Sequence, residues 1–93
     1  MTEIAELQEI RKKIDALDDD LVQLLVKRIR LAMRASDYKH TAEDVKGCDR
    51  VQIVLDSVGK RATQAGGYEE TVQNIYRTII SELTDLQLKK KEF

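Results

Sequence analysis

The sequence predicts an all-α protein with three helices per chain, the first of which is very long. The segment from Leu7 to about His40 contains neither glycine nor proline. Its apolar residues recur at alternating spacings of three and four, which is typical of one amphipathic helix. Nowhere does the sequence alternate at period two for long enough to predict a strand.

The predicted first helix is longer than a domain of this size can cover. At ~1.5 Å per residue it would measure roughly 50 Å, whereas a compact chain of this length has a radius of gyration of about 12 Å. Ninety-three residues also form only a marginal hydrophobic core of their own. These observations favour a homodimer built on paired long helices. The apolar residues of the first helix form a stripe along one face, in which Arg28 takes one position. The apolar stripe consists of Leu7, Ile10, Ile14, Leu17, Leu21, Leu24, Leu31 and Ala35.

Two shorter helices are predicted after a polar segment from His40 to Cys48, in which Gly47 marks a turn. Asp49 and Gln52 have the spacing of a capping box, so we expect the second helix to begin there and to end at Gly66-Gly67. Gly59 inside it should cost about 1 kcal/mol relative to alanine. The third helix is predicted from Tyr68 nearly to the end of the chain. Its apolar positions are Val72, Ile75, Tyr76, Ile79, Leu83 and Leu86.

The composition excludes several classes of partner. Sixteen basic and seventeen acidic residues give a formal charge of −1, so there is no general basic field for nucleic acid or anionic lipid. The lysines at 89–91 suit the negative end of a helix and need no nucleic acid. The opening residues lack a signal-peptide apolar region, and no apolar run approaches the roughly 20 residues of a membrane span. Together with the single cysteine, Cys48, this predicts one soluble cytoplasmic domain over residues 1–93.

Several cations occupy helical positions where an anionic ligand would explain them. Arg28 lies in the apolar stripe, where a charge is costly to desolvate without a partner. Lys39 follows eleven residues later on the same face, roughly 16 Å away, which suits a small molecule with separated anionic groups. Arg11 lies about 25 Å from Arg28 along the helix and could approach from an antiparallel partner chain. Arg50 lies in the first turn of the second helix, which favours anions, and Gln87 adds a neutral donor.

A purely structural interpretation of the same charges stays open at this point. Basic residues on helices are most often solvated or paired with a carboxylate one turn away, as Arg11 could be with Asp15. On that interpretation the chain is a non-catalytic helical dimerisation module.

The arrangement of motifs resembles the all-helical, class II chorismate mutase family. The resemblance is carried by the segment LQEIRKKIDALDDDLVQLLVKRIRLA, by Tyr38-Lys39, by Asp49 to Val51, and by Ile79 to Gln87. It implies two three-helix chains intertwined into a homodimer with two shared active sites, each taking one arginine from the other subunit.

The resemblance also implies a role for each cation. Arg11 of the neighbouring chain and Arg28 would bind the two substrate carboxylates, with Arg50 lining the carboxylate end of the pocket. Lys39 and Gln87 would face the enolpyruvyl ether oxygen. The family's chemistry is pericyclic and uses no nucleophile, metal or cofactor.

Two departures from the family pattern bear on the substrate. Val51 stands where the usual chorismate mutases carry a glutamate that meets the ring hydroxyl, and Leu83 stands where they often have a small hydroxyl residue. A buried hydroxyl beside Val51 would be left unpaired at a cost of about 1–3 kcal/mol. The Lys39 to Arg50 spacing and the arginine-valine pair are similar to the isochorismate-pyruvate lyase branch. We therefore expect a lyase that converts isochorismate to salicylate and pyruvate, with weak chorismate mutase activity; alternatives are chorismate mutase proper and 4-amino-4-deoxychorismate mutase.

Overall fold

The computed structural model describes residues 2–93, and the chain divides into two compact units, one up to Leu31 and the other Ala32–Phe93. The helices are α1 (Glu3–Ser36), α2 (Ala42–Lys46), α3 (Cys48–Ala65) and α4 (Glu69–Lys91). Residues 2–93 contain no strand, so the all-α prediction is confirmed. The three predicted helices are present, and the five-residue α2 is an addition. Within the same range, no helix combines the length and apolar character needed to cross a bilayer.

The helix α1 begins four residues earlier than predicted. Thr2 caps it: its hydroxyl accepts from the N–H of Ala5 at 3.2 Å, and its carbonyl accepts from the N–H of Glu6 at 3.2 Å. This bonding satisfies N–H groups that a helix start leaves unpaired, which stabilises a first turn that the apolar stripe does not reach. The helix ends at Ser36 rather than near His40.

The apolar stripe of the first unit is exposed in the single chain. The large apolar side chains of the stripe keep between 45% and 62% of their surface accessible, and Ile4 in the first turn keeps 70%. An exposed apolar face of this extent marks an interaction surface in a soluble protein. The stripe residues concerned are Leu7, Ile10, Ile14, Leu17, Leu21, Leu24 and Leu31.

The second unit has its own hydrophobic core, formed where α3 and α2 pack against α4. The buried apolar side chains are Val45, Leu55, Val58, Ala62 and Leu83.

Gly59 is buried on α3 beside side chains of α4. A Cβ at this position would lie 2.6 Å from Nε2 of Gln73, which donates to the carbonyl of Leu55 at 3.1 Å. The glycine therefore makes room for a side chain that crosses from α4 to the α3 backbone.

The short helix α2 is defined by its polar cap. The hydroxyl of Thr41 accepts from the N–H of Asp44 at 3.0 Å, and the Asp44 carboxylate accepts from the N–H of His40 at 3.1 Å. The His40 N–H is the main cause that lowers the pKa of Asp44 below its usual value. These reciprocal bonds hold one helical turn that is too short to show periodicity in the sequence.

The predicted capping box at Asp49 is wrong. Gly47, with φ 47°, both ends α2 and serves as the N-cap of α3, and the cap makes no side-chain hydrogen bond. Because one left-handed glycine serves both helices, α3 begins at Cys48 and Asp49 falls inside the first turn. An acidic residue there still favours the helix through its dipole. The predicted end of this helix at Gly66-Gly67 is confirmed.

Candidate active site

Lys39 is placed by three tight turns that follow α1. The N–H groups of Asp37, Tyr38 and Lys39 donate to the carbonyls of Arg34, Ala35 and Ser36, each at 3.1 Å. Bonds of this i to i+3 type are common where an α-helix ends. They fix the backbone of Lys39 relative to the last turn of α1.

The side chains of Lys39 and Gln87 meet although 48 positions separate them in the sequence. The ammonium of Lys39 donates to Oε1 of Gln87 at 3.0 Å. Gln87 is 4% exposed, and its Nε2 donates to the carbonyl of Ala32 at 2.6 Å. Lys39 itself is half-buried.

The two partners of Gln87 fix the orientation of its amide. A carbonyl can only accept and an ammonium can only donate, so Nε2 must face Ala32 and Oε1 must face Lys39. The bond to Gln87 uses one of the three N–H groups on the Lys39 ammonium, and the bond to Ala32 uses one of the two on Gln87. The pair can therefore donate to a ligand oxygen from a position that the protein already holds.

Lys90 makes a second set of contacts with the end of α1. Its ammonium donates to the carbonyl of Met33 at 2.9 Å, the hydroxyl of Ser36 at 3.1 Å and the carboxylate of Asp37 at 2.8 Å. The hydrogen bond from Lys90 is the largest cause that holds the pKa of Asp37 below its usual value, and the charge of Lys90 adds to it. From the sequence we expected the terminal lysines to suit a helix C-terminus, and Lys90 does contact one, that of α1. The missed signal was its spacing of three from Gln87, which puts both on one face of α4.

The remaining predicted residues of the second unit lie on α3 and α4. Leu83 is buried one turn before Gln87, so it shares that face of α4. Val51 is half-buried in the first turn of α3, and the neighbouring Arg50 is exposed. The structure thus joins Lys39 to Gln87 directly, and the roles of all five residues in the site stay predictions.

Arg11 and Arg28 belong to the first unit. Arg11 is exposed and Arg28 is half-buried. Near the N-terminal end of α1, the ion pair joins Lys12 to Glu9 at 3.7 Å, rather than Arg11 to the expected Asp15. Because that pair is exposed, it contributes little to stability.

Comparison with known proteins shows which family the chain belongs to. Residues 10–88 match the family model described as "Chorismate mutase type II". The chain belongs to this family. The matched segment contains all seven residues that the sequence analysis assigned to the site of a chorismate mutase: Arg11, Arg28, Lys39, Arg50, Val51, Leu83 and Gln87.

Two curated relatives of the chorismate mutase type are similar to this chain. One, from Streptomyces venezuelae, is named 4-amino-4-deoxychorismate mutase; it is 36% identical over 84 residues, which are 89% of this chain and 82% of that protein. The other is a bifunctional chorismate mutase/prephenate dehydratase from Aquifex aeolicus, 32% identical over 90 residues. That match covers 92% of this chain but a quarter (25%) of the bifunctional protein.

The Lys39–Gln87 pair suits the chemistry of a chorismate mutase. An ammonium and a buried amide, both already oriented, can stabilise negative charge that develops on an ether oxygen without reorganising. The described residues, 2–93, contain no group of three or more histidine, cysteine, aspartate or glutamate side chains that could hold a metal ion.

Proposed function

We propose that this chain is a mutase that rearranges a chorismate-type dicarboxylate, with 4-amino-4-deoxychorismate as its substrate. The observation that carries the proposal is the bond between the Lys39 ammonium and the buried Gln87 amide, 3.0 Å long, in a chain of the chorismate mutase family. The substrate is proposed from the similarity to the Streptomyces venezuelae mutase, which extends over 89% of this chain.

In the proposed reaction, the ether C–O bond breaks as a C–C bond forms within the same substrate molecule. No proton transfer, nucleophile or cofactor is needed, so the protein acts by selecting a folded conformer and by stabilising charge. The N–H groups of Lys39 and Gln87 would donate to the ether oxygen as its negative charge grows. A donor of this kind contributes about 3–4 kcal/mol to lowering the barrier.

The carboxylate-binding role of Arg28, and of Arg11 from a second copy of the chain, is part of the same proposal. It rests on the family motif and on the exposed apolar stripe of α1, which a second copy would cover through the same surface. Each active site of the homodimer would then need residues from both chains.

Mixing two inactive variants tests the shared site. Arg11→Ala and Arg28→Ala should each remove activity, because each removes one carboxylate partner. After unfolding and refolding together, half of the dimers are mixed, and each mixed dimer has one intact site. The mixture should therefore regain about a quarter of wild-type activity. If the mixed dimers form, as shown by two distinguishable tags, but stay inactive, the sites are not shared.

Isochorismate-pyruvate lyase is the second candidate, and Val51 favours it. Valine cannot accept a hydrogen bond from a ring substituent at the position that chorismate fills with a hydroxyl, whereas isochorismate carries its hydroxyl elsewhere on the ring. The same residue would give an amino group at that position no acceptor either. The lyase preference drawn from the sequence thus stays a prediction, and the substrate must be decided by measurement.

The deciding experiment supplies purified protein with 4-amino-4-deoxychorismate, isochorismate or chorismate in separate reactions. Rearranged products are separated by chromatography, and salicylate is followed by its fluorescence. We expect kcat/KM to be largest for the amino substrate. A larger kcat/KM for salicylate release would make the protein a lyase, and no turnover of any substrate would favour the non-catalytic dimerisation module.

A further inference from the structure

The ammonium of Lys90 has three N–H groups, and all three of its acceptors lie at the end of α1. They are the carbonyl of Met33, the hydroxyl of Ser36 and the carboxylate of Asp37, at 2.9, 3.1 and 2.8 Å. The donor capacity of the ammonium is therefore filled by one short segment of chain.

The Met33 carbonyl needs these contacts because of how α1 ends. In a continuing helix, the N–H of Asp37 would bond to Met33, but here it bonds to Arg34. The Lys90 ammonium and the Ser36 hydroxyl, which donates at 2.5 Å, both bond to the Met33 carbonyl in place of the helical N–H. Without them a helix-end carbonyl would be left unpaired, at a cost comparable to a lost hydrogen bond.

Ser36 connects this arrangement to Lys39. Its side chain is completely buried, at 0% exposure, and its hydroxyl accepts from Lys90. Its carbonyl accepts from the backbone N–H of Lys39 at 3.1 Å. Lys90 thus acts on Lys39 through a single intervening residue.

Gln87 and Lys90 lie three residues apart on α4 and bond to the consecutive carbonyls of Ala32 and Met33. One face of α4 therefore bonds to the Lys39 side chain through Gln87 and connects to the Lys39 backbone through Lys90 and Ser36. We propose that Lys90, through Ser36, is a positioning residue that holds the Lys39 ammonium in place for the reaction. This inference rests on the proposed role of Lys39.

The ion pair between Lys90 and Asp37 is the lesser part of this arrangement. The two side chains are 38% and 62% exposed, and exposed pairs of this kind contribute little. Asp37→Asn should therefore change the reaction rate much less than Lys90→Met, which removes the bonds to Met33 and Ser36 as well.

The test compares Lys90→Met with Lys89→Met, a neighbouring exposed lysine that has no part in these contacts. If Lys39 acts mainly in the transition state, its misplacement should lower kcat by about tenfold and leave KM within about twofold. Lys90→Arg, which keeps a charged donor, should recover most of the lost kcat, whereas a purely packing role would give no such recovery. Lys89→Met should match the wild type.

Two results would overturn the proposal: equal kcat values for Lys90→Met and Lys89→Met, or an effect confined to KM. If Lys90→Met does not fold, Ser36→Ala takes its place, because it removes the hydroxyl that links Lys90 to the tight turns. Ser36→Ala should lower kcat by a smaller factor than Lys90→Met. An unchanged kcat would count against the connection from Lys90 to Lys39 through Ser36.

A measurement without substrate separates failure of this inference from failure of the proposed function. Hydrogen exchange at the backbone N–H groups of Asp37, Tyr38 and Lys39 reports whether the turns are held. Lys90→Met should accelerate exchange at these three positions, while Lys89→Met should not. Unchanged exchange would show that Lys90 does not fix this segment, whatever reaction the protein catalyses.

Discussion

In the first unit, the large apolar side chains of the α1 stripe from Leu7 to Leu31 stay 45% to 62% exposed, whereas in the second unit Leu55, Val58 and Leu83 are buried. The second unit also pairs its buried polar groups, including the amide of Gln87 and the hydroxyl of Ser36. The difference indicates that one chain is sufficient to build the Lys39–Gln87 pair but leaves its longest apolar face uncovered. A second copy of the chain is the proposed cover.

The largest expected effect is a loss of turnover when the Lys39–Gln87 pair, which lies entirely within the second unit, is broken. Gln87→Met keeps the approximate size of the side chain but removes both the acceptor for Lys39 and the donor to Ala32. We expect kcat to fall by about 10²-fold, as for the loss of one preorganised donor. Steady-state kinetics at several protein concentrations should give the same factor, since both partners lie in one chain. A wild-type kcat would remove Gln87 from the proposed site.

A matched pair of leucines compares the two units directly. Leu55→Ala in the buried core should lower the free energy of unfolding by about 2–5 kcal/mol. Leu17 is 62% exposed in the single chain. Leu17→Ala should therefore lower the free energy of unfolding by a similar amount only if a second copy of the chain buries this side chain. Urea unfolding, with sedimentation to give the oligomeric state, measures both. A Leu17→Ala cost within about 0.5 kcal/mol would mean that the stripe stays exposed in solution.

Acid should weaken the contact between Lys90 and Asp37. The folded protein holds the pKa of Asp37 below its ordinary value, chiefly through the Lys90 hydrogen bond. The carboxylate therefore stabilises the folded state fully above the unfolded pKa, and this stabilisation is lost as pH falls through the lower folded pKa. In Asp37→Asn, the free energy of unfolding should depend less steeply on pH below about 4 than in the wild type. Identical slopes would show that the exposed pair contributes nothing.

The smallest effect is the change in stability expected for Gly59→Ala, on the side of α3 that faces α4. Gly59→Ala gains helix propensity, worth about 1 kcal/mol, but its Cβ displaces the Gln73 amide from the Leu55 carbonyl, so the two effects should nearly cancel. In a Gln73→Ala background the displaced amide is gone, and Gly59→Ala should then stabilise the protein by up to about 1 kcal/mol. Thermal unfolding of the four variants provides the comparison. A large loss of stability in both backgrounds would mean that another neighbour, such as Cγ of Glu69 at 3.1 Å from the added Cβ, requires the glycine.

The sequence predicted the elements that depend on apolar periodicity and on glycine. The long first helix, the end of α3 before Gly66 and the extent of α4 are all confirmed. Periodicity could not reveal α2, because five residues held by Thr41 and Asp44 contain too few apolar positions. The start of α3 was misplaced because Gly47 serves two helices at once, which leaves no role for Asp49 as a cap.

The site was predictable in part. The helical spacing that we expected to relate Arg28 to Lys39 does not apply, because α1 ends at Ser36 and Lys39 follows it in tight turns. No spacing rule brings Lys39 to Gln87 across 48 positions, and that pair was expected only from the family resemblance. The contacts of Lys90 were missed because charge alone does not tell which helix end a lysine will meet. The homodimer, the cytoplasmic location and the choice among the three substrates stay predictions.

The most direct test of the account is the turnover number of Lys39→Ala measured beside Lys60→Ala, which removes an exposed lysine of α3. Both variants should keep the wild-type helix content by circular dichroism. We expect Lys39→Ala to lose turnover of the preferred substrate by a factor of at least about 10² and Lys60→Ala to keep the wild-type rate. A folded Lys39→Ala variant that turns over substrate as fast as Lys60→Ala would contradict this expectation.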